Sequence, residues 1–63
     1  MYNCVIEAYG GGFIVVDYSG KRGQFGAAYT GSDGVWRSQP MGMTPFETQE
    51  LADQFIKGLA DVN

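Results

Sequence analysis

The sequence predicts an α+β fold in which a three- to four-stranded antiparallel meander sheet is packed by one C-terminal α-helix (β-β-β-(β)-α). Short apolar segments alternate with glycine-rich turns through the first 38 residues, which is typical of strands joined by hairpins. Apolar residues recur at helical spacing only in the last third of the chain. With 63 residues, the chain is expected to form a single α+β domain, 1–63, around one small core.

The first two strands are predicted over Tyr2–Tyr9 and Phe13–Tyr18. Three glycines, 10–12, separate them and suit a hairpin turn because glycine tolerates positive φ. The second segment is apolar on both faces, and such strands are usually central in a sheet. Only one of those faces can meet the single helix. The other face is expected to be partly wet, covered by loops, or covered by another molecule.

The third strand is predicted over Gln24–Thr30, after a turn that places Lys21 and Arg22 at its tip. A strong turn signal at 31–34 then leads into a short fourth strand, Val35–Ser38, expected at a sheet edge. Residues 39–43 form a connection. Its methionines can fill irregular gaps between sheet and helix because their side chains are flexible.

The helix is predicted over Phe46–Val62. Its apolar stripe runs along one side and is expected to be buried; it consists of Leu51, Ala52, Phe55, Ile56 and Leu59. Two starts are consistent with the sequence. Thr48 can act as the N-cap, or Thr44 to Glu47 can form a capping box with proline at the first helical position.

The residue types argue against several kinds of site. A single cysteine cannot form a disulfide within the chain, and the absence of histidine disfavours a structural zinc site. Neither a cofactor nor a metal site is predicted. The sequence has no leader pattern and no apolar run long enough for a membrane span, so a cytoplasmic protein without membrane contact is expected.

Catalysis is not predicted either. The chain has no histidine to serve as a base near neutral pH. Cys4 lies inside the first strand and is interpreted as a packed thiol rather than a nucleophile. Glu7 and Asp17 can face each other across the first hairpin, but no partner group for acid–base chemistry accompanies them. A non-enzymatic protein is expected.

The charge is unevenly distributed along the chain. Residues 1–43 carry three acidic and three basic side chains, whereas residues 44–63 carry four acidic side chains against Lys57, so the whole net charge of −3 belongs to the helical part. An acidic surface does not hold phosphate backbones, so direct nucleic-acid binding is disfavoured. Acidic side chains can instead imitate phosphates and bind a basic protein surface.

Trp36 is the other candidate for partner contact. A lone tryptophan on a short peripheral strand beside an arginine has the composition of an interface anchor, and the alternative is a lid that covers the sheet end. The predicted partner-binding residues are therefore Glu47, Glu50, Asp53, Asp61, Trp36 and Asp33.

A small acidic chain with a short meander and one helix, whose acid is carried by Glu47, Glu50, Asp53 and Asp61, resembles the small anti-CRISPR proteins of phages and mobile elements. The resemblance lies in size, charge and architecture and includes no motif. It implies inhibition of a host nucleic-acid-handling complex through protein contact, with a CRISPR effector subunit as the partner. The aromatic sheet face with Trp36 is the other surface that such a protein could use.

A second hypothesis follows from the two-sided second strand. An uncovered apolar sheet face favours self-association, so the chain is alternatively a small homodimerising accessory module. The expected state is a monomer or a weak homodimer.

Overall fold

A computed structural model of the protein describes residues 4–22 and 26–60. It contains a three-stranded antiparallel sheet in the order β1-β2-β3 and one helix. This confirms the predicted α+β fold. The elements are β1 (Cys4–Tyr9), β2 (Gly12–Asp17), β3 (Ala28–Thr30) and α1 (Gln49–Ala60).

The first hairpin follows the glycine signal closely. β1 and β2 pair without interruption from Cys4 opposite Asp17 to Tyr9 opposite Gly12. Gly10 and Gly11 form the two-residue turn with φ values of 54° and 83°. Positive φ at both central residues is the geometry that glycine permits and that matches the twist of a hairpin. The turn therefore sets the register of the whole first hairpin.

The third and fourth predicted strands are both shorter than expected. Residues 26 and 27 precede β3 without joining it, and residues 23–25 lie outside the described residues. The predicted strand over 35–38 is reduced to one bridge, in which Tyr29 and Arg37 exchange backbone hydrogen bonds of 2.7 and 2.8 Å. The turn at 31–34 therefore returns the chain to the outer edge of β3 for one residue pair only.

The connection after this turn returns to β2. Phe13 and Phe46 exchange backbone hydrogen bonds of 2.9 and 2.7 Å on the same edge that β3 uses farther along the strand. Ser32 donates to the carbonyl oxygen of Thr44 at 2.7 Å. The backbone approaches so closely here that a Cβ at Gly31 would overlap the Thr44 carbonyl oxygen. Glycine is therefore required at this crossing.

Both faces of β2 are covered by the chain itself. On one face Val15 packs with Phe46 and with Ala52 of the helix. On the other face Ile14 and Val16 pack with Met43, and half-buried tyrosines complete that cluster. Of the three outcomes expected for the second face, the structure shows coverage by a loop. The segment 43–46 supplies a side chain to each face because its two ends reach opposite sides of the strand.

The helix begins at Gln49, as the Thr48 cap predicts, and after Phe46, the first residue of the predicted segment. Thr48 is its N-cap, since its hydroxyl oxygen accepts a hydrogen bond from the Leu51 amide at 3.1 Å. Phe46 is therefore outside the helix. Leu51, predicted to be buried, is 44% exposed, whereas Ala52 is fully buried. The small Ala52 side chain lets the helix lie close on the sheet, and Leu51, about 100° farther round the helix, is turned aside.

Candidate protein-interaction surface

Asp17 is the buried acid of the sheet. Its side chain is fully buried at the end of β2. One carboxylate oxygen accepts the Ser19 amide at 2.7 Å, and the other accepts the Arg22 Nε–H at 2.9 Å. Both oxygens are thus satisfied by the turn that follows the strand. The carboxylate fastens this turn to the sheet.

The environment of Asp17 lowers its pKa. Burial alone would raise the pKa, because it penalises the charged form. The hydrogen bonds from Ser19 and Arg22 and the charge of Arg22 stabilise the carboxylate and together outweigh burial. Asp17 is therefore a charged structural group at neutral pH.

Arg22 connects this carboxylate to the aromatic cluster. Its guanidinium lies 5.0 Å from the centre of the Trp36 ring, a cation–π distance. Trp36 packs against Phe55 of the helix with ring centres 6.0 Å apart, and Phe55 packs against Phe46 at 5.5 Å. Trp36 is half-buried. The structure thus places Trp36 as a lid joining sheet, turn and helix, which is the second of its two interpretations.

Asp33 is held by its own turn. Its carboxylate forms an ion pair with Arg37, with 2.9 Å between Oδ2 and Nη2, and accepts the Val35 amide at 3.0 Å. These hydrogen bonds lower the pKa of Asp33. Although predicted as a partner-binding residue, Asp33 has its carboxylate engaged within the molecule.

The expected carboxylate pair across the first hairpin does not form. Glu7 lies opposite Ile14, and Asp17 lies opposite Cys4. Because side chains alternate along a strand, Glu7 and Asp17 are on opposite faces of the sheet. Glu7 instead accepts a hydrogen bond of 2.7 Å from the Tyr18 hydroxyl, which raises the pKa of Tyr18.

The described acids of residues 44–63 differ from those before residue 44 in their exposure and ionic contacts. Glu47 and Glu50 are exposed, and within residues 4–22 and 26–60 neither forms an ion pair. Asp53 pairs with Lys57 one helical turn later, at 3.1 Å and with both side chains largely in solvent. Asp61 lies outside the described residues. Two of the four predicted helix acids thus face solvent without an ionic contact in the described part of the chain.

Leu51 stands among these acids. Glu47 precedes the N-cap, and Glu50 and Leu51 belong to the first turn of α1; all three are exposed. We call these three residues the acidic edge of α1. These residues are close in the chain at the start of α1 and consist of one exposed apolar side chain and two exposed carboxylates, a composition suited to a basic protein surface that has an apolar recess. The helical periodicity of the sequence predicts that Leu51 is buried, so the sequence does not place Leu51 on this surface.

Groups that could carry chemistry are sparse in the part of the chain that the structure describes. The pKa of Cys4 is raised by burial and by the nearby Asp17 charge, against a lowering by Arg22, so the thiol is a poor nucleophile near neutral pH. Residues 4–22 and 26–60 form no pocket and no cluster of potential metal ligands. Within these same ranges, no helix has the length and apolar character needed to cross a membrane.

Comparison of the chain with protein-family models, with curated proteins and with solved structures finds no match.

The sequence patterns do not predict the link from Asp17 through Arg22 to Trp36. Asp17 sits at the end of the most apolar strand, and Arg22 follows it across a short turn. An acid adjoining a fully apolar strand and followed by a cation signals a buried ion pair. That signal was present in the sequence, whereas the stacking of Arg22 on Trp36 depends on contacts distant in the chain.

Proposed function

We propose that this protein is a non-enzymatic inhibitor that binds a larger protein complex through the acidic edge of α1. The supporting observation is the contrast between the acids of the sheet and those of the helix. Glu7, Asp17 and Asp33 all accept hydrogen bonds from their own chain, whereas Glu47 and Glu50 leave their carboxylates to solvent. The carboxylates open to a partner are therefore concentrated on one part of the surface.

The kind of partner follows from this chemistry. Exposed carboxylates attract basic surfaces, and the commonest large basic surfaces are those that hold nucleic acids. An acidic edge bound there would compete with the phosphate backbone. Together with the resemblance in size, charge and architecture, this leads us to propose an anti-CRISPR activity in the cytoplasm of the host cell, with a CRISPR effector subunit as the target.

Leu51 adds specificity to the proposed contact. Carboxylates alone increase the rate of association and make binding sensitive to salt, but they discriminate weakly among basic surfaces. A side chain that is 44% exposed gains burial when it enters a recess of the partner. The proposed interface therefore has an apolar anchor with a charged surround, and loss of either component weakens binding.

The test uses purified protein and a panel of purified guide-loaded CRISPR effector complexes of different types. We expect the protein to bind at least one complex and to inhibit its target cleavage, with an affinity that falls as salt rises. Glu50→Lys and Leu51→Lys are each expected to abolish inhibition while the protein stays folded. Failure to bind or inhibit any complex in the panel would contradict the anti-CRISPR proposal.

Glu7→Lys is the matched control. It makes the same change in net charge as Glu50→Lys, at an exposed glutamate on the sheet. We expect Glu7→Lys to inhibit nearly as well as the unmodified protein. Equal loss from both variants would show that net charge alone matters, and equal retention by both would place the interface elsewhere.

A further inference from the structure

Among residues 4–22 and 26–60, no strand or loop pairs with the outer edge of β1. β2 pairs with β1 on one side and with β3 and Phe46 on the other, and Tyr29 of β3 bonds outward to Arg37. Over residues 4–22 and 26–60, no backbone group pairs with the far side of β1. An open edge of this kind is a template for another strand.

The outward-pointing groups of this edge can be assigned. Phe13 exchanges both backbone hydrogen bonds with Phe46, so its N–H and C=O point away from β1. These groups alternate in direction along a strand, so those of Ile14 point toward β1 and bond with Glu7, its partner in the register. Continuing the alternation along β1 leaves three residues whose N–H and C=O point outward: Cys4, Ile6 and Ala8.

The edge also lacks the usual protection against pairing. β1 contains no proline, and its uninterrupted register with β2 contains no bulge. Its one charged residue, Glu7, points its side chain to the face opposite that of the three outward residues. The strand is six residues long, which is an average strand and long enough for several pairs.

We propose that two copies of this chain pair through β1, antiparallel, about a two-fold axis at Ile6. A two-fold axis perpendicular to the sheet places the same face of both copies on the same side of the joined sheet. Paired residues must therefore point their side chains to the same face. Because side chains alternate along a strand, the numbers of two paired residues differ by an even number. In this register Ile6 lies opposite the partner's Ile6, and Cys4 lies opposite the partner's Ala8. All three outward residues then form hydrogen-bonded pairs, each exchanging two bonds.

The neighbouring registers are less favourable. An axis at Glu7 would set the two Glu7 carboxylates opposite each other, which destabilises a strand pair. An axis at Val5 would pair Cys4 with the partner's Ile6 and leave Ala8 without a partner within β1. The edge is thus complementary to itself in one register, and this self-complementarity is the reason for choosing a second copy as the occupant.

The result is a continuous six-stranded sheet with both helices on one side. The two acidic edges would then lie on the same side of the dimer. The dimer does not depend on the proposed inhibitory function, since it rests on the backbone of β1 alone. It also differs from dimerisation through the second sheet face, which Met43 and the tyrosines cover.

The register is tested by Ala8→Cys. Opposed residues of a hydrogen-bonded pair have Cα atoms about 5.5 Å apart, within disulfide range. Mild oxidation of Ala8→Cys is therefore expected to give a covalent dimer whose disulfides join Cys4 of one copy to the introduced cysteine of the other. Within one strand these positions are about 13 Å apart, too far for an internal disulfide.

Two controls accompany this variant. In the unmodified protein the two Cys4 residues would lie about 14 Å apart in the dimer, four residues along the strand and one strand across, so oxidation should not cross-link it. Glu7→Cys places its thiol on the other face and should not bond to Cys4 of the second copy. Mass spectrometry of the oxidised proteins identifies the linked peptides.

Sedimentation at micromolar to high micromolar concentration gives the independent measurement. We expect a monomer–dimer equilibrium, shifted toward the monomer by Ala8→Pro, which removes an outward N–H without removing a bond to β2. Circular dichroism checks that this variant folds. A monomer at all concentrations would overturn the proposal. It would do so even if β1 were found to pair with a different protein. A dimer in which Ala8→Cys yields no disulfide between Cys4 and the introduced cysteine would overturn it as well.

Discussion

The acids of the sheet and the acids of the helix belong to two different populations. Before residue 44 each acidic side chain is bound by the chain itself: Glu7 by Tyr18, Asp17 by Ser19 and Arg22, and Asp33 by Arg37. After residue 44 the described acids are exposed or, for Asp53, paired in solvent with Lys57. The acids before residue 44 are thus bound within the molecule, whereas Glu47 and Glu50 leave their carboxylates in solvent.

The largest effect is expected from Asp17→Asn. The change removes a fully buried charge and breaks its ion pair with Arg22. Breaking a buried ion pair from one side is strongly destabilising, so the free energy of unfolding should fall by about 3 kcal/mol. Urea unfolding measures it. The control is Asp53→Asn, the same substitution in a solvent-exposed ion pair, which should leave stability unchanged within error.

Acid should destabilise the protein through the same group. The pKa of Asp17 in the folded state is below its ordinary value of 3.8, so at low pH the unfolded chain binds more protons. The stabilisation is complete above pH 3.8 and is lost as pH falls from there through the folded-state pKa. We expect the melting temperature to drop over this interval. Asp17→Asn should show a smaller drop, and an equal drop in both proteins would assign the acid sensitivity to other groups.

A smaller effect is expected from Asp33→Ala. The turn at 31–34 loses the acceptor for the Val35 amide and the ion pair to Arg37, but these groups remain in contact with water. The melting temperature should fall by clearly less than with Asp17→Asn. A fall as large as that of Asp17→Asn would show that the turn, and not the buried pair, dominates the stability of the sheet.

The smallest effect on stability is expected from Leu51→Ala. A side chain that is 44% exposed loses little burial on truncation, so the change should stay within about 0.5 kcal/mol. Phe55→Ala is the comparison from the same helix, since Phe55 packs on both Trp36 and Phe46. We expect Phe55→Ala to cost several times more. Equal losses would return Leu51 to the core and remove it from the acidic edge.

Much of the fold could be predicted from local patterns. The glycines at 10 and 11, the apolar strand after them and the stripe of the helix each follow from short-range physical chemistry. Of the two predicted helix starts, the Thr48 cap is confirmed and the capping box from Thr44 is not. The choice depends on Phe46, which is held in the Phe13 bridge and so cannot begin the helix.

The rest of the fold depends on contacts between residues that are far apart in the chain. The segment 43–46 has no periodic pattern, yet it closes one edge of β2 and covers both faces of that strand. The candidate surface was predicted only in part for the same reason. Charge in the sequence predicts Glu47 and Glu50 as partner-binding residues. Whether a carboxylate such as Asp33 is already bound, or a leucine such as Leu51 is exposed, is decided by tertiary packing.

The most direct test of the two populations is urea unfolding of Asp17→Asn beside the double variant Glu47→Gln/Glu50→Gln. We expect a clear loss of stability from the single sheet substitution and none from the two helix substitutions together. A loss in the double variant that equals or exceeds that of Asp17→Asn would show that the helix acids also hold the fold, and that the two populations do not differ in this respect.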